Sequence, residues 1–497
     1  MLRRWKELHQ EIRFDLPVIL FLGLMVGILA LRANPLLYDL DVGWLVRTGE
    51  YLLDHRSLPP GDLYSFSNPG KPWILYQWAF EVYLGGLHHL AKLGGVVWGT
   101  SILIALTYAL LLHHLVRIGL SPGWATALGF LAALANMFHW LSRPLTATLL
   151  CYTLQLCLLE AYRLRPRNQL LLLPVIFLLW ANIHLGFVFG LLVLALYGVG
   201  GSLWPGAFRG PGAPRDYRIL FIALLCFGAT LLNPYGPKLF SYLGQLAFST
   251  TMNAHIQELQ SPDFHAPCFV FFLLQLILLL WLSGPKYPGR PVLLVLVTVT
   301  LCMGLYSARH LTLFAVPAAM HLGYSIVARE KLPVCEPGGI SKAGWLVAGA
   351  VAVLSLFWVV AIERWHPGFY QFDSRRVPQG AVRYLAAQVE GGKPLKIFNL
   401  QDFWGSYLIY ALFPQIRVYL DTRFDMYGDE FFKEAINTQQ KALLDFRVVL
   451  PLNVDYLLVD KKSLERRQVD QQKPKGPFLL VYEDDQALLY RVDRNSP

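Results

Sequence analysis

Eleven long apolar stretches constrain this chain more than any other feature. A helix needs about 20 apolar residues to cross a hydrocarbon layer of ~30 Å. Of the 497 residues, 55% are hydrophobic and 15% are charged, and the mean hydropathy is +0.42, whereas soluble domains carry about 25% charged residues. We therefore predict a mainly α, polytopic transmembrane helix bundle, with spans near 16–33, 94–116, 122–141, 144–162, 169–182, 185–204, 218–233, 267–283, 291–307, 310–327 and 343–362.

Lysine and arginine residues fall at alternate ends of these stretches, which predicts the sidedness of the chain. They are Arg3, Arg4, Lys6, Arg13, Arg117, Arg163, Arg165, Arg167, Arg209, Arg215, Arg218, Lys286, Arg290, Arg329, Lys331 and Lys342. A cytoplasmic place for them puts the N-terminus inside, and it puts residues 34–72, 234–266 and everything after 363 outside. Because topology explains the formal net charge of +10, we predict no nucleic-acid partner.

The last 134 residues differ in character, since charges return and apolar residues alternate. The patterns predict strands at 395–400, 417–421 and 455–460, a hairpin at 479–492, and an amphipathic helix over 429–446. We therefore expect a transmembrane domain, 1–363, with outer loops 34–93 and 234–266. An extracytoplasmic α/β domain, 364–497, is expected to follow it. Asp421, Arg423, Asp425 and Tyr427 form its most polar cluster, and a strand end followed by a turn explains them.

The densest polar pattern follows the first span, in the segment YDLDVGWLVRTGE (38–50). In an extended segment the carboxylates of Asp39 and Asp41 point the same way, so they could hold a divalent cation or serve as a general base and its orienting partner. The alternative is that both acids begin a helix, where they suit the positive end of its dipole. We expect that helix to lie on the outer surface with Leu45, Leu52 and Leu53 facing lipid.

Two further acids follow in the same outer loop. Asp62 lies in a loop rich in proline and glycine, and Glu81 interrupts the apolar, aromatic segment 73–90. A carboxylate at membrane depth is expected to have a partner or a function. Both are candidate substrate-binding residues, although the aromatic residues around them are typical of an interfacial belt.

Several basic residues lie at predicted outer helix ends. The guanidinium groups of Arg143 and Arg309 could bind a phosphate or extend to the lipid head groups. His184 and His310 are candidate supporting residues, although a buried histidine more often serves packing. The pairs His88–His89 and His113–His114 lie at predicted helix ends without acidic partners, so we interpret them as structural.

The second outer loop contains HIQELQSPDFHAP (255–267), with His255, Glu258, Asp263 and His265. These side chains could supply metal ligands or an acid/base pair, but no zinc pattern such as H-E-x-x-H is present. A solvated loop is the alternative. The chain also lacks a P-loop, a G-x-G-x-x-G motif, a kinase motif set and G-x-S-x-G, so the motifs give no support for a nucleotide-driven pump.

Taken together, several motifs resemble those of a family of bacterial membrane proteins similar to the GT-C glycosyltransferase superfamily. The likeness covers about residues 15–330, and the tail segments WGSYLIY and YLDTRFDMY are also similar to tails in that family. The motifs are DLDVGWLVRTGEYLLDHRSLPPGDLYSFSNPGKPW, SRPLT, WANIHLGF, LLNPYG, SPDFH and SARHL.

The resemblance implies an enzyme of the bacterial inner membrane and cell envelope that uses a sugar linked to a polyprenyl phosphate. The catalytic acid would then be Asp41, which begins the D-x-G-W pattern, or Asp39, and transfer would invert the sugar carbon. The acceptor would be an extracytoplasmic glycan, lipid or protein. A polymerase or ligase of lipid-linked glycans is one alternative, and a non-enzymatic transporter or assembly scaffold is another.

Overall fold

The computed structural model describes residues 2–32, 34–166, 168–206, 214–283, 290–331, 341–389, 392–466 and 477–493. Arg167, Arg209 and Lys286, which contributed to the predicted sidedness, lie outside these residues. The chain divides into two compact units. The helical unit comprises Met1–Arg32, Gly94–Leu239 and Ile256–Pro367, and the loop–tail unit comprises Ala33–Leu93, Phe240–His255 and Gly368–Pro497.

The chain is mostly helical, with a small sheet near its C-terminus. The described α-helices are α1 (Leu2–Leu29), α2 (Asp41–His55), α3 (Trp78–Arg117), α4 (Pro122–Ala135), α5 (Pro144–Leu164), α6 (Leu173–Ile183), α7 (Phe187–Leu203), α8 (Arg218–Thr230), α9 (Lys238–Ala247), α10 (Thr250–His255), α11 (Val270–Leu282), α12 (Pro291–Tyr306), α13 (Ala315–Glu330), α14 (Lys342–Trp365), α15 (Gln379–Gln388), α16 (Asp402–Leu412), α17 (Phe424–Tyr427), α18 (Asp429–Ala442) and α19 (Lys461–Arg466).

An apolar helix occupies the position of each predicted span. Four described helices are long and apolar enough to cross a membrane by length and composition: Trp78–Arg117, Pro144–Leu164, Ala308–Glu330 and Lys342–Trp365. The other seven are shorter apolar helices of 10–17 residues. Helices in this part of the chain are thus confirmed, and the count of eleven spans stays a prediction.

Packing in the helical unit follows the apolar composition of its helices. Helices α4, α11 and α13 pack together, α8 packs against α6 and α7, and α1 packs against α14. Short 3-10 segments, Met137–His139, Gln257–Leu259 and Ala308–Leu313, join or extend these helices. Such breaks matter here because they carry several of the polar side chains that the sequence predicted to be functional.

The loop–tail unit contains a five-stranded sheet in the order β2-β1-β3-β5-β4. Its strands are β1 (Leu395–Asn399), β2 (Ile416–Val418), β3 (Tyr456–Asp460), β4 (Phe478–Glu483) and β5 (Ala487–Val492). Strand β1 pairs in parallel with β2 and β3, whereas β5 is antiparallel to β3 and β4. The predicted strands and hairpin are thus present, and the predicted helix 429–446 ends earlier, at Ala442.

Ser65 of the first loop forms an isolated β-bridge with Val418 of the tail. The amide of Val418 donates to the carbonyl of Tyr64, and the amide of Phe66 donates to the carbonyl of Val418, both at 3.0 Å. Helix α2 packs against α16 of the tail. Leu45 and Leu52 of α2 are 1% and 7% exposed, so the expectation that they face lipid is wrong: they are buried among protein side chains.

Candidate functional site

The two first-loop acids stand at the start of α2. The Asp41 amide donates to Asp39 Oδ1 at 3.0 Å, and Asp41 is the first residue of the helix. Both side chains are half-buried. Asp39 therefore holds the beginning of α2, as the structural alternative predicted, and the helix orients Asp41 next to it.

A hydroxyl network from the tail contacts Asp41. Thr422 Oγ1 donates a hydrogen bond to Asp41 Oδ1, and Thr422 Oγ1 in turn accepts one from Trp44 Nε1 at 3.2 Å. Ser406 Oγ lies 2.7 Å from the same Thr422 oxygen. Donors on a carboxylate favour its ionised form and fix its orientation, which are two properties that a general base requires.

Asp62 is part of a buried ion cluster. Arg423 Nη2 lies 2.7 Å from Asp62 Oδ1 and 2.7 Å from Asp421 Oδ2. The guanidinium also lies over the rings of Tyr64 and Trp73, 4.7 and 4.8 Å from their centroids. Burial alone would raise the pKa of Asp62, but the Arg423 charge together with hydrogen bonds from Ser65, Tyr64 and Arg423 outweighs burial and lowers it. The cluster links the first loop to the tail.

Sequence reasoning missed this cluster because a strand end followed by a turn explained Asp421 and Arg423. The sequence signal that could have identified the cluster is the apolar or aromatic type of the neighbouring residues. Two of them, Leu420 and Tyr427, are fully buried in the structure. A charged pair between such neighbours is rarely solvated.

Glu81 stands in the first turn of α3 and is fully buried. Neither of its carboxylate oxygens accepts a hydrogen bond from the described residues, and its polar neighbours are Gln77, Asp425 and Arg423. Asp425 itself accepts a hydrogen bond from Tyr242 at 2.7 Å. A buried carboxyl without a partner is costly, which keeps Glu81 a candidate for ligand contact.

His88 has an acidic partner that the sequence interpretation did not identify. His88 Nδ1 lies 2.6 Å from Glu50 Oε1, and His88 Nε2 lies 3.1 Å from the Tyr410 hydroxyl. Arg47 Nη1 donates to Glu50 Oε2 at 2.7 Å. The statement that His88 lacks an acidic neighbour is therefore wrong, and this network joins α2, α3 and α16.

In the helical unit, two predicted arginines meet at one carboxylate. Arg143 Nη1 donates to Glu258 Oε1 at 3.0 Å, and Arg309 Nη2 donates to the same oxygen. Burial would raise the pKa of Glu258, but the charges of Arg309 and Arg143 outweigh burial and lower it. Two cations around one anion leave a net positive charge, which suits a phosphate.

The histidines near this cluster are buried to different extents. His184 Nδ1 accepts from the Gly186 amide at 3.2 Å and lies 2.9 Å from Thr148 Oγ1. Burial lowers the pKa of His184 to about 3, so the ring is neutral at pH 7. A neutral ring can pack against its neighbours and can also contact a ligand. His310 is only half-buried, and within the described chain its Nδ1 has no hydrogen-bond partner.

The remaining predicted residues of the second outer loop do not join the arginine cluster. His255 is exposed, belongs to the loop–tail unit, and lies 2.9 Å from the Thr251 carbonyl. Asp263 and His265 are highly exposed and pair with each other at 3.1 Å. Of these four side chains, Glu258 is the one that pairs with arginines among the described residues.

A metal site gains no support from the side chains present. Among the described residues, no group of three or more histidine, cysteine, aspartate and glutamate side chains could hold a metal ion. Asp39 and Asp41 would supply two carboxylates at most, and hydrogen bonds engage both. We therefore derive no step through a divalent cation.

Comparison with solved structures decides the fold. The oligosaccharyltransferase AglB of Archaeoglobus fulgidus, solved with an inhibitory peptide and a dolichol-phosphate, matches with a TM-score of 0.52 and 10% identity over 92% of this chain and 70% of AglB. The chain shares the fold of this oligosaccharyltransferase. An identity this low establishes a likeness of fold alone.

Two other solved structures are similar to this chain. ArnT of Cupriavidus metallidurans, bound to undecaprenyl phosphate, gives a TM-score of 0.49 and 12% identity over 95% of this chain and 97% of ArnT. The apo oligosaccharyltransferase of A. fulgidus gives 0.48 and 10% over 90% and 69%. No protein-family model and no curated protein sequence matches the chain.

Proposed function

We propose that this chain is a membrane glycosyltransferase that moves a sugar from a polyprenyl-phosphate-linked donor to an acceptor outside the cytoplasm. The observation that carries the proposal is the shared contact of Arg143 and Arg309 with Glu258 Oε1. Two guanidinium groups that already converge on one anionic oxygen are arranged to bind another anion, and planar guanidinium groups match phosphate oxygens. The solved AglB structure supports this choice, because it contains a dolichol-phosphate.

The proposed role of the arginines is to stabilise the leaving group. In the transfer, the bond between the sugar carbon and the phosphate oxygen breaks, and the polyprenyl phosphate departs with the bonding electron pair. The charge that develops on this oxygen needs nearby cations. Arg143 and Arg309 supply them. His310 is next to Arg309 in the chain, and His184 lies near both arginines.

The proposed role of Asp41 is that of general base. The acceptor hydroxyl oxygen forms the new bond to the sugar carbon on the face opposite the phosphate, and its proton passes to the Asp41 carboxylate. This displacement inverts the sugar carbon. The Thr422 hydroxyl orients the carboxylate, and Asp39 holds the helix turn on which Asp41 stands. Glu81 and Asp62 are proposed to contribute through acceptor contact and loop stability, respectively.

We further propose a place in a bacterial inner membrane with the N-terminus in the cytoplasm and the tail outside. The described apolar helices support a membrane location, and the alternating basic helix ends support the sidedness. In that arrangement the sugar donor and acceptor are both met on the outer side.

The experiment separates binding from turnover with variants in the purified full chain. Asp41→Asn removes the proton acceptor with little change of shape, so turnover of a panel of polyprenyl-phosphate-linked sugars should fall by about 10²–10⁴-fold. Binding of farnesyl phosphate, the short probe, should stay within about twofold. Arg143→Gln and Arg309→Gln should each weaken farnesyl phosphate binding by about tenfold, since each removes a charged hydrogen-bond donor.

Asp54→Asn is the matched control for the acid, because Asp54 is exposed on the same helix α2. It should retain both turnover and binding. Wild-type turnover in Asp41→Asn would refute the assignment of the base. Wild-type farnesyl phosphate affinity in both arginine variants would refute the donor site.

A further inference from the structure

A second group of buried charges lies in the helical unit, at the opposite end of α5. Glu160 is fully buried, and Arg163 Nη1 donates to both of its oxygens, at 2.9 and 3.2 Å. The Tyr197 hydroxyl donates to Glu160 Oε1 at 2.8 Å. Glu160 therefore has its partners within the helical unit, and its negative charge neutralises that of Arg163.

A second guanidinium in this group has no such balance. Arg290 lies over the Tyr324 ring, 4.5 Å from its centroid, and its charge acts on Glu160 as that of Arg163 does. Among the described residues, Arg290 forms no ion pair with a carboxylate. One acid thus stands against two guanidinium groups. Arg290 is half-buried, and a partly desolvated cation without a carboxylate partner favours binding of an anion.

Several buried polar nitrogens of the group also lack partners within the described chain: Arg163 Nε, Arg290 Nε and His114 Nε2. His114 is 4% exposed and its ring is 5.9 Å from that of Tyr324. Guanidinium Nε atoms can only donate. These nitrogens could all be satisfied by one ligand that has several acceptor oxygens, and a phosphate group is such a ligand.

We infer that Arg163, Arg290 and His114 form a binding site for a phosphate-bearing anion. Basic pockets between membrane helices recognise phospholipid head groups in this way. The site is separate from the arginine pair at Glu258: Arg143 precedes α5 and Arg163 lies in its last turn. A helix of 21 residues is about 30 Å long, which is close to the thickness of the hydrocarbon layer.

The site therefore lies at the basic ends of the helices: Arg163 is in the last turn of α5, and Arg117 is the last residue of α3. The ligand is a phosphate mono- or diester with a net negative charge, which distinguishes it from a zwitterionic head group such as phosphocholine. Two sources can present it, an anionic lipid head group in the bilayer or free phosphate in the aqueous phase. The inference does not depend on the proposed transferase activity, because it uses none of the residues assigned to that reaction.

The test measures binding to the full chain in detergent by native mass spectrometry with three probes: dioctanoyl-phosphatidylglycerol, inorganic phosphate and dioctanoyl-phosphatidylcholine. The wild type should bind phosphatidylglycerol or phosphate in preference to phosphatidylcholine. Arg290→Gln should weaken that binding by about tenfold, as expected for loss of a charged donor. Arg165→Gln, which removes an exposed cation at the same helix end, should change it by less than about twofold.

Preference for phosphatidylglycerol over phosphate assigns the ligand to the lipid, and the reverse assigns it to free phosphate. Equal losses in the two glutamine variants would show unspecific attraction to basic residues and would overturn the inference. So would binding of neither anionic probe. Should Arg290→Gln fail to fold, Arg290→Lys keeps the charge without the planar fork, and it should weaken binding by about threefold relative to Arg165→Lys.

Discussion

Asp62 in the first loop forms an ion pair with Arg423 in the tail, and neither side chain is exposed to solvent. Arg423→Met would leave Asp62 and Asp421 as uncompensated buried charges. We expect the free energy of unfolding to fall by about 3–5 kcal/mol, measured by urea titration of the purified chain. Arg375→Gln is the control, because the Arg375–Asp373 pair has an 83% exposed arginine, and a pair screened by solvent should contribute little to stability. Equal effects of the two changes would contradict the structural role of the cluster.

Glu50 predicts a dependence of stability on pH. Burial raises the pKa of this carboxyl, but the His88 hydrogen bond and the Arg47 charge outweigh burial and lower it from 4.5 to about 2. Since the folded-state pKa is the lower one, the stabilisation is present above pH 4.5 and is lost as the pH falls towards 2. Urea titrations between pH 6 and 3 should show this loss in the wild type. Glu50→Gln should flatten the slope, and an unchanged slope would exclude Glu50 as its source.

Two neighbouring glycines of α3 offer a direct comparison of packing. A Cβ on Gly85 would lie 2.5 Å from the Gly49 carbonyl carbon, whereas a Cβ on Gly86 would meet no atom within 4 Å. Gly85→Ala should therefore force α2 and α3 apart, at a cost of about 1–3 kcal/mol. Gly86→Ala should be neutral or stabilise the helix by up to about 1 kcal/mol. Thermal unfolding measures both, and similar melting temperatures for the two variants would contradict the close approach.

Glu258 is expected to compete with phosphate for the two arginines. Glu258→Gln removes the anion that Arg143 and Arg309 share, so affinity for farnesyl phosphate should rise, by about three- to tenfold. The thermal stability of the same variant should fall, because the two guanidinium groups then repel each other without compensation. Weaker farnesyl phosphate binding in this variant would show that Glu258 orients the arginines and does not compete with the ligand.

The sidedness can be tested with single cysteines at exposed positions. Asp54 and Arg165 are both exposed, and the basic helix ends predict that they lie on opposite sides of the membrane. A membrane-impermeant maleimide should label Asp54→Cys in intact cells and Arg165→Cys only after permeabilisation. The parent chain supplies the background from its own cysteines. Labelling of Arg165→Cys in intact cells, with labelling of Asp54→Cys only after permeabilisation, would contradict the proposed topology.

Much of the secondary structure could be predicted because it depends on local pattern. The apolar runs of the first 363 residues predicted helices that the structure contains, and alternation predicted β1, β3 and the β4–β5 hairpin. The start of α2 at Asp41 was an open alternative in the sequence and is now observed. These helices and strands depend on residues that are close together in the chain, so the composition and spacing of a local segment are enough to predict them.

The pairings of charged residues could not be predicted in the same way. Glu50 and His88 are 38 residues apart, and Asp62 meets Arg423 across most of the chain, so no local spacing contains either pair. For the same reason the burial of Leu45 was missed: its partner helix α16 lies in the tail. Arg143, Glu258 and Arg309 were expected at the same outer end, but the carboxylate oxygen that both arginines contact could be identified only from the fold.

The contacts between the first loop and the tail have a consequence for biogenesis. The ribosome makes the loop before the tail, so Asp41 lacks its hydroxyl partner, and Asp62 its cation, until Thr422 and Arg423 have emerged. A chain that stalls before Thr422 would present the loop without either contact, so the acid reaches its final surroundings only after this part of the tail is made.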